Sequence, residues 1–147
     1  MQIRKLWPVL VLVVPALWPP VPLIHPVRAA PVAADPQGDA VLGKAFRDRT
    51  SNIQVEGKGE VMRILSDDQD GSRHQRFLLR LRSGQSLLVV HNIDLAPRVA
   101  SLREGDAVQF HGEYVWNEKG GVIHWTHRDP AGRHEAGWLK HKDRIYQ

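Results

Sequence analysis

Leu102-Arg103-Glu104-Gly105-Asp106-Ala107-Val108-Gln109-Phe110-His111-Gly112 is the most informative run in the chain. Glu104-Gly105-Asp106 has the composition of a tight turn. After it, Val108 and Phe110 alternate with polar residues, the period-two signature of a strand with one buried face. Tyr114 and Trp116 continue the same parity, so a strand over 107–116 with those four side chains in the core is expected. The same period recurs upstream. It predicts strands over 53–65, 73–82 and 85–91, the last two joined at Ser83-Gly84, and a shorter one over 122–125 after the turn at 117–121. Gly57 and Gly59 lie inside the first strand, where they predict a bulge or strong bend. Ahead of it, Val41, Leu42, Ala45 and Phe46 are spaced as one face of a short helix over 39–49, with Asp39 as its cap. Residues 126–147 read as a polar, irregular tail with apolar pegs at Trp138, Leu139, Ile145 and Tyr146.

Five strands at this spacing, a longer link over 92–102 and a bent first strand predict a mainly β fold. The expected architecture is a small five-stranded Greek-key barrel of the OB type with a short N-terminal helix. The 102–112 run itself resembles the start of the fourth strand in many OB-folds. A two-sheet sandwich is the alternative.

The chain has 147 residues, with 42% hydrophobic and 24% charged, the balance of a folding domain. It has no cysteine, which excludes disulfides, a thiol nucleophile, thiolate-held zinc and a lipoprotein anchor. Residues 1–34 read as a secretory signal peptide: Arg4 and Lys5, an apolar run from Leu6 to Ile24, then small-residue exits at 27–29 and 32–34. The prolines in that run argue against a retained membrane anchor, the alternative reading. Residues 35–52 form the lead-in and helix, and 53–147 the barrel with its tail. A periplasmic or secreted location is expected, with no transmembrane segment after cleavage. Three of the 20 basic residues, Arg4, Lys5 and Arg28, would leave with the leader, and no acidic one. The remaining 17 basic and 16 acidic groups give a net charge of +1, so no strong global attraction to nucleic acid follows.

Several segments from residue 57 onward carry a family resemblance. They are Gly-Ser-Arg-His-Gln-Arg-Phe at 71–77, His-Asn-Ile-Asp-Leu-Ala-Pro-Arg at 91–98 and Gly-Glu-Tyr-Val-Trp-Asn at 112–117. Gly-Gly-Val-Ile-His-Trp-Thr-His at 120–127, Asp-Pro-Ala-Gly-Arg-His at 129–134 and Gly-Trp-Leu-Lys-His at 137–141 complete the set. Together they resemble an uncharacterised family of small exported bacterial proteins. The resemblance implies an OB-like domain and no established activity.

Three constellations could carry function. On the second strand His74, Arg76, Arg80 and Arg82 share the outward face, and guanidiniums pair well with phosphates or acidic glycans. Charges such as Glu56, Glu60 or Glu113 on neighbouring strands could equally balance them. At the end of the third strand, His91, Asn92 and Asp94 could orient one another for a ligand, or serve as a strand-end turn in which the polar side chains hold backbone amides. The seven histidines after the leader are dense, and the turn Asp129-Pro130-Ala131-Gly132 could bring His127, Asp129 and His134 together to hold a divalent ion such as zinc. Ser66 to Gly71 partly matches a calcium loop but has Phe77 at the glutamate position, and reads as a hairpin turn.

The expected function is a binding module for an anionic or polar ligand: an oligonucleotide, a glycan or another envelope component. Its ligand-binding residues would be His74, Arg76, Arg80, His91, Asn92, Asp94, His124 and Trp125. One alternative is a metal-dependent, phosphodiesterase-like hydrolase using the histidine cluster, and the other is a structural partner of an envelope complex.

Overall fold

The computed structural model describes residues 36–147; the leader reading of 1–34 lies outside them. Helix α1 (Pro36–Arg47) is followed by β1 (Ile53–Ile64), β2 (His74–Arg80), β3 (Ser86–Asn92), β4 (Ala107–Val115), β5 (Val122–His124), β6 (Trp138–His141) and β7 (Arg144–Tyr146). The sheet runs β1-β2-β3-β5-β4, and β4 pairs back onto β1 to close it. The β3–β5 pairing is parallel and the other barrel pairings are antiparallel. That is the strand order of an OB barrel, as the spacing predicts.

β1 belongs to both walls of the barrel. Residues Ile53 to Glu60 pair with β4, and Glu60 to Ile64 pair with β2. The ladder slips between Val61 and Arg63, so the bulge sits just beyond the two glycines rather than on them. Gly57 has a packing reason: a Cβ there would lie 2.7 Å from Phe110 Cζ, inside van der Waals contact.

The core is the alternating face of every barrel strand. Phe77, Leu79, Val89, Val108, Phe110, Tyr114 and Ile123 are fully enclosed. Tyr114 is in the core as its parity predicts, its hydroxyl donating to Gly120 O at 3.1 Å. Trp116 packs on the core's edge, its Nε1 donating to Phe46 O at 3.1 Å. Helix α1 adds Leu42 and Ala45 to the same cluster.

Asp39 does not cap the helix. The helix begins at Pro36, whose missing N–H costs nothing in a first turn. Asp39 lies within that turn and accepts the Ser83 N–H at 2.8 Å, tying the helix to the β2–β3 hairpin.

The tail is the larger correction. It forms a hairpin, with β6 pairing β4 (Val108↔His141 to His111↔Trp138) and β7 pairing β6. Leu139 and Tyr146 are buried as expected, whereas Ile145 faces solvent. β5 and β6 therefore occupy successive stretches of one edge of β4, and residues 125–137 leave the sheet between them. Among the described residues no helix is long and apolar enough to cross a membrane.

Candidate functional site

The β5–β6 excursion is assembled by small residues that let backbones touch. At Gly112 a Cβ would stand 2.5 Å from His124 O. At Gly137 a Cβ would run into the carbonyls of Trp125 and His111, and the Gly137 N–H donates to His127 O at 2.9 Å. With both approaches open, the chain turns sharply where β5 ends. Trp125 takes a left-handed backbone conformation (φ 53°) that a bulky residue seldom adopts.

That turn sets the indole among three imidazoles. The Trp125 ring stacks on His134 with centroids 4.3 Å apart, lies 5.3 Å from His124, and meets His127 edge-on at 5.9 Å. His127 and His134 are themselves perpendicular at 5.0 Å. Trp125 is still 36% exposed.

The proton positions follow from the partners. His127 Nδ1 lies 2.7 Å from Arg128 O, and His134 Nδ1 lies 2.7 Å from Glu135 O. A carbonyl only accepts, so each Nδ1 donates, and in the neutral ring each Nε2 is left as an acceptor. The Nε2 of His134 is buried without a hydrogen-bond partner, 3.9 Å from Asp129 Oδ2. His124 Nε2 lies 3.3 Å from Glu113 Oε1, within ion-pair reach but misaligned for a hydrogen bond. Burial lowers the His124 pKa, Glu113 opposes this, and charge on His134 or His74 lowers it further.

The sequence-level metal trio, His127, Asp129 and His134, is gathered into this loop, but not as ligands converging on one point. The Asp129 side chain is only 1% exposed and accepts backbone N–H groups from Ala131, Arg133 and His134. Burial alone would raise its pKa; those three hydrogen bonds and the Arg133 charge bring it down to about 2. Its carboxylate organises the loop. Among the described residues no three His, Asp or Glu side chains are placed to hold a metal ion.

The strand-end trio also takes its alternative reading. His91, expected among the ligand residues, is 0% exposed. Its Nε2 donates to Pro97 O at 3.1 Å, so its Nδ1 accepts from the Thr126 hydroxyl at 2.8 Å. Burial pulls its pKa down to about 4. Its role is to pin Thr126, the residue after Trp125. Asn92 Oδ1 accepts the N–H groups of Asp94 and Leu95, so it too is a turn residue. Asp94 is held by the Arg73 backbone N–H and Nε, each at 2.7 Å.

Two of the three arginines in the outward row are balanced, whereas exposed Arg82 has no ion pair among the described residues. Arg80 pairs with Glu60 at 3.5 Å, and Arg76 lies 3.9 Å from Asp68 while donating to Ser66 O at 3.1 Å. The Ser66–Gly71 segment is the turn expected of it, with Asp68 bridging His74 and Asp67 paired with Arg98. His74 remains half-buried with no side-chain hydrogen bond among the described residues. Of the eight expected ligand residues, His124 and Trp125 stand at the exposed platform. Missed by sequence reasoning were Gly112, Thr126 and Gly137, whose only signal is small size at positions that become close only after folding.

A family model described as Protein of unknown function (DUF3465) matches residues 22–147. No curated protein matches the chain.

Proposed function

The chain belongs to the DUF3465 family of proteins of unknown function, and we propose that this member is an exported module that binds a neutral or weakly charged glycan on the Trp125 platform. The observation that carries the reading is the left-handed, half-exposed Trp125 stacked on His134, whose buried Nε2 has no partner. Strained backbone in a bulky residue persists where surrounding structure holds it, and such positions concentrate at binding sites. A flat, partly exposed indole suits the apolar face of a sugar ring. The fold class has a record of oligosaccharide and oligonucleotide binding. The balance of Arg76 and Arg80 by Asp68 and Glu60 favours the glycan, because a nucleic acid needs a track of uncompensated cations. Export rests on the leader pattern, and places the ligand in the cell envelope or beyond it.

The test is binding of the protein to immobilised neutral and uronate oligosaccharides, with Trp125→Ala and His134→Ala as variants. Loss of one stacking aromatic costs about 1–3 kcal/mol for flat-ring ligands, roughly tenfold in affinity. Retention by the parent and loss in Trp125→Ala, with an unchanged unfolding midpoint, is the expected result. Equal retention of parent and variant removes the platform reading.

A further inference from the structure

Away from Trp125, the outward face of β4 leads to a second concavity that the glycan reading does not use. Lys58 of β1 faces Gln109 of β4, and Gln109 faces Lys140 of β6. This cross-strand row spans two strand spacings, about 10 Å. Lys142, in the β6–β7 turn with φ 56°, closes one side. Together with Asp106 and His141 these residues line a cavity of about 220 Å³.

The charges in it are unevenly satisfied. Asp106 is occupied: its Oδ2 accepts from the Arg103 N–H at 2.9 Å and lies 2.8 Å from His141 Nε2. The three lysine ammoniums have no ion-pair or hydrogen-bond partner among the described residues. Elsewhere in the barrel some cations are matched, Arg73 by Asp94, Arg76 by Asp68, Arg80 by Glu60 and Arg98 by Asp67, while others such as Arg63, Arg82 and Lys119 have no ion pair among the described residues. What sets Lys58, Lys140 and Lys142 apart is that all three line one recess, so their uncompensated charges are concentrated in a domain whose net charge is close to zero. Like charges in one concavity repel, and an anion removes that repulsion.

We propose that this cavity is a binding site for a single phosphate group, held by Lys58, Lys140 and Lys142 with the Gln109 amide as a further donor. Three lysines against the one Asp106 carboxylate leave two positive charges, and a phosphate monoester carries about −1.5 to −2 at neutral pH. Ammonium groups are point-charge donors suited to phosphate oxygens. The recess admits one such group rather than a phosphodiester chain, since the balanced arginines offer no continuation. The site is independent of the Trp125 platform: it lies on different residues, and neither needs the other to be occupied.

The experiment is titration of the full chain with inorganic phosphate and with glycerol 3-phosphate, followed by amide NMR shifts at constant ionic strength. Saturable shifts centred on residues 58, 109 and 140–142 are expected for both probes. Lys58→Gln/Lys140→Gln should weaken binding about tenfold or more, and Lys119→Gln, in a distant exposed turn, should not. Lys142→Gln sits in the outer turn, cannot disturb barrel closure, and should weaken binding as well. A response only to glycerol 3-phosphate supports the site with an ester-bearing ligand. Non-saturating shifts, shifts elsewhere, or equal affinity in the lysine variants and Lys119→Gln would overturn the proposal. Loss of Trp125-dependent glycan retention leaves these phosphate outcomes untouched, so the two readings fail separately.

Discussion

His91 is completely enclosed, and its two nitrogens are taken by Thr126 and Pro97. Burial holds its pKa near 4, below the 6.5 of a free imidazole. As pH falls below 6.5 the unfolded chain takes up this proton before the folded one does. Stability is therefore intact above pH 6.5 and declines as pH drops toward 4, by about 3 kcal/mol for this group. Urea midpoints measured between pH 7.5 and 4 should follow that slope, and His91→Phe should flatten it. A slope unaltered by the substitution would assign the acid sensitivity to other groups. Asp129 acts in a lower window: its pKa is depressed to about 2, so its contribution is present above the ordinary carboxylate range and lost as pH falls through 2. Gly112→Ala tests the close approach at the platform. A Cβ there lies 2.5 Å from His124 O, and the expected outcome is a loss of about 1–3 kcal/mol of stability together with a shifted Trp125 environment in near-ultraviolet circular dichroism.

Among the strands, length helped legibility, with three-residue β5 the exception, because the turn at 117–121 marks where it begins. β1 to β4 run seven to twelve residues, enough for the period of two to show in the side chains, and their boundaries fall close to where alternation places them. β6 and β7 have four and three residues and follow a polar stretch with no hairpin turn signal directly ahead of them, so alternation there does not stand out from irregular sequence. They are strands because the free edge of β4 supplies hydrogen bonds to β6, and β6 in turn to β7. Leu139 is the anchor of that hairpin, fully buried opposite Phe110. Leu139→Ala should cost about 2–5 kcal/mol. Because β6 carries Lys140, the same variant should also blunt phosphate binding; a folded variant with full stability would show that the hairpin is peripheral to the core.

For the domain taken together, charge placement matters more than charge number. Arg76→Ala/Arg80→Ala removes two exposed pairs worth about 0–1 kcal/mol each. It should leave retention on a polyanion column nearly unchanged, because those guanidiniums are already matched. A large drop in the salt needed for elution would restore the arginine face as a ligand surface. Barrel closure through β1–β4 removes the edges of the five-stranded sheet, leaving the short β6–β7 hairpin as its extension.

Local alternation, turn residues and the helical spacing of Leu42 and Ala45 were sufficient to specify a mainly β OB-type barrel, because side-chain direction along a strand is a property of neighbouring residues. The partners of the polar groups were not so specified. His91 meets Thr126 35 positions away, and His141 meets Asp106 at the same separation. Lys58, Gln109 and Lys140 become one row only when three strands pair in register. Folding alone made those choices, since hydrogen bonds and charges act over a few ångströms in space whatever the distance along the chain.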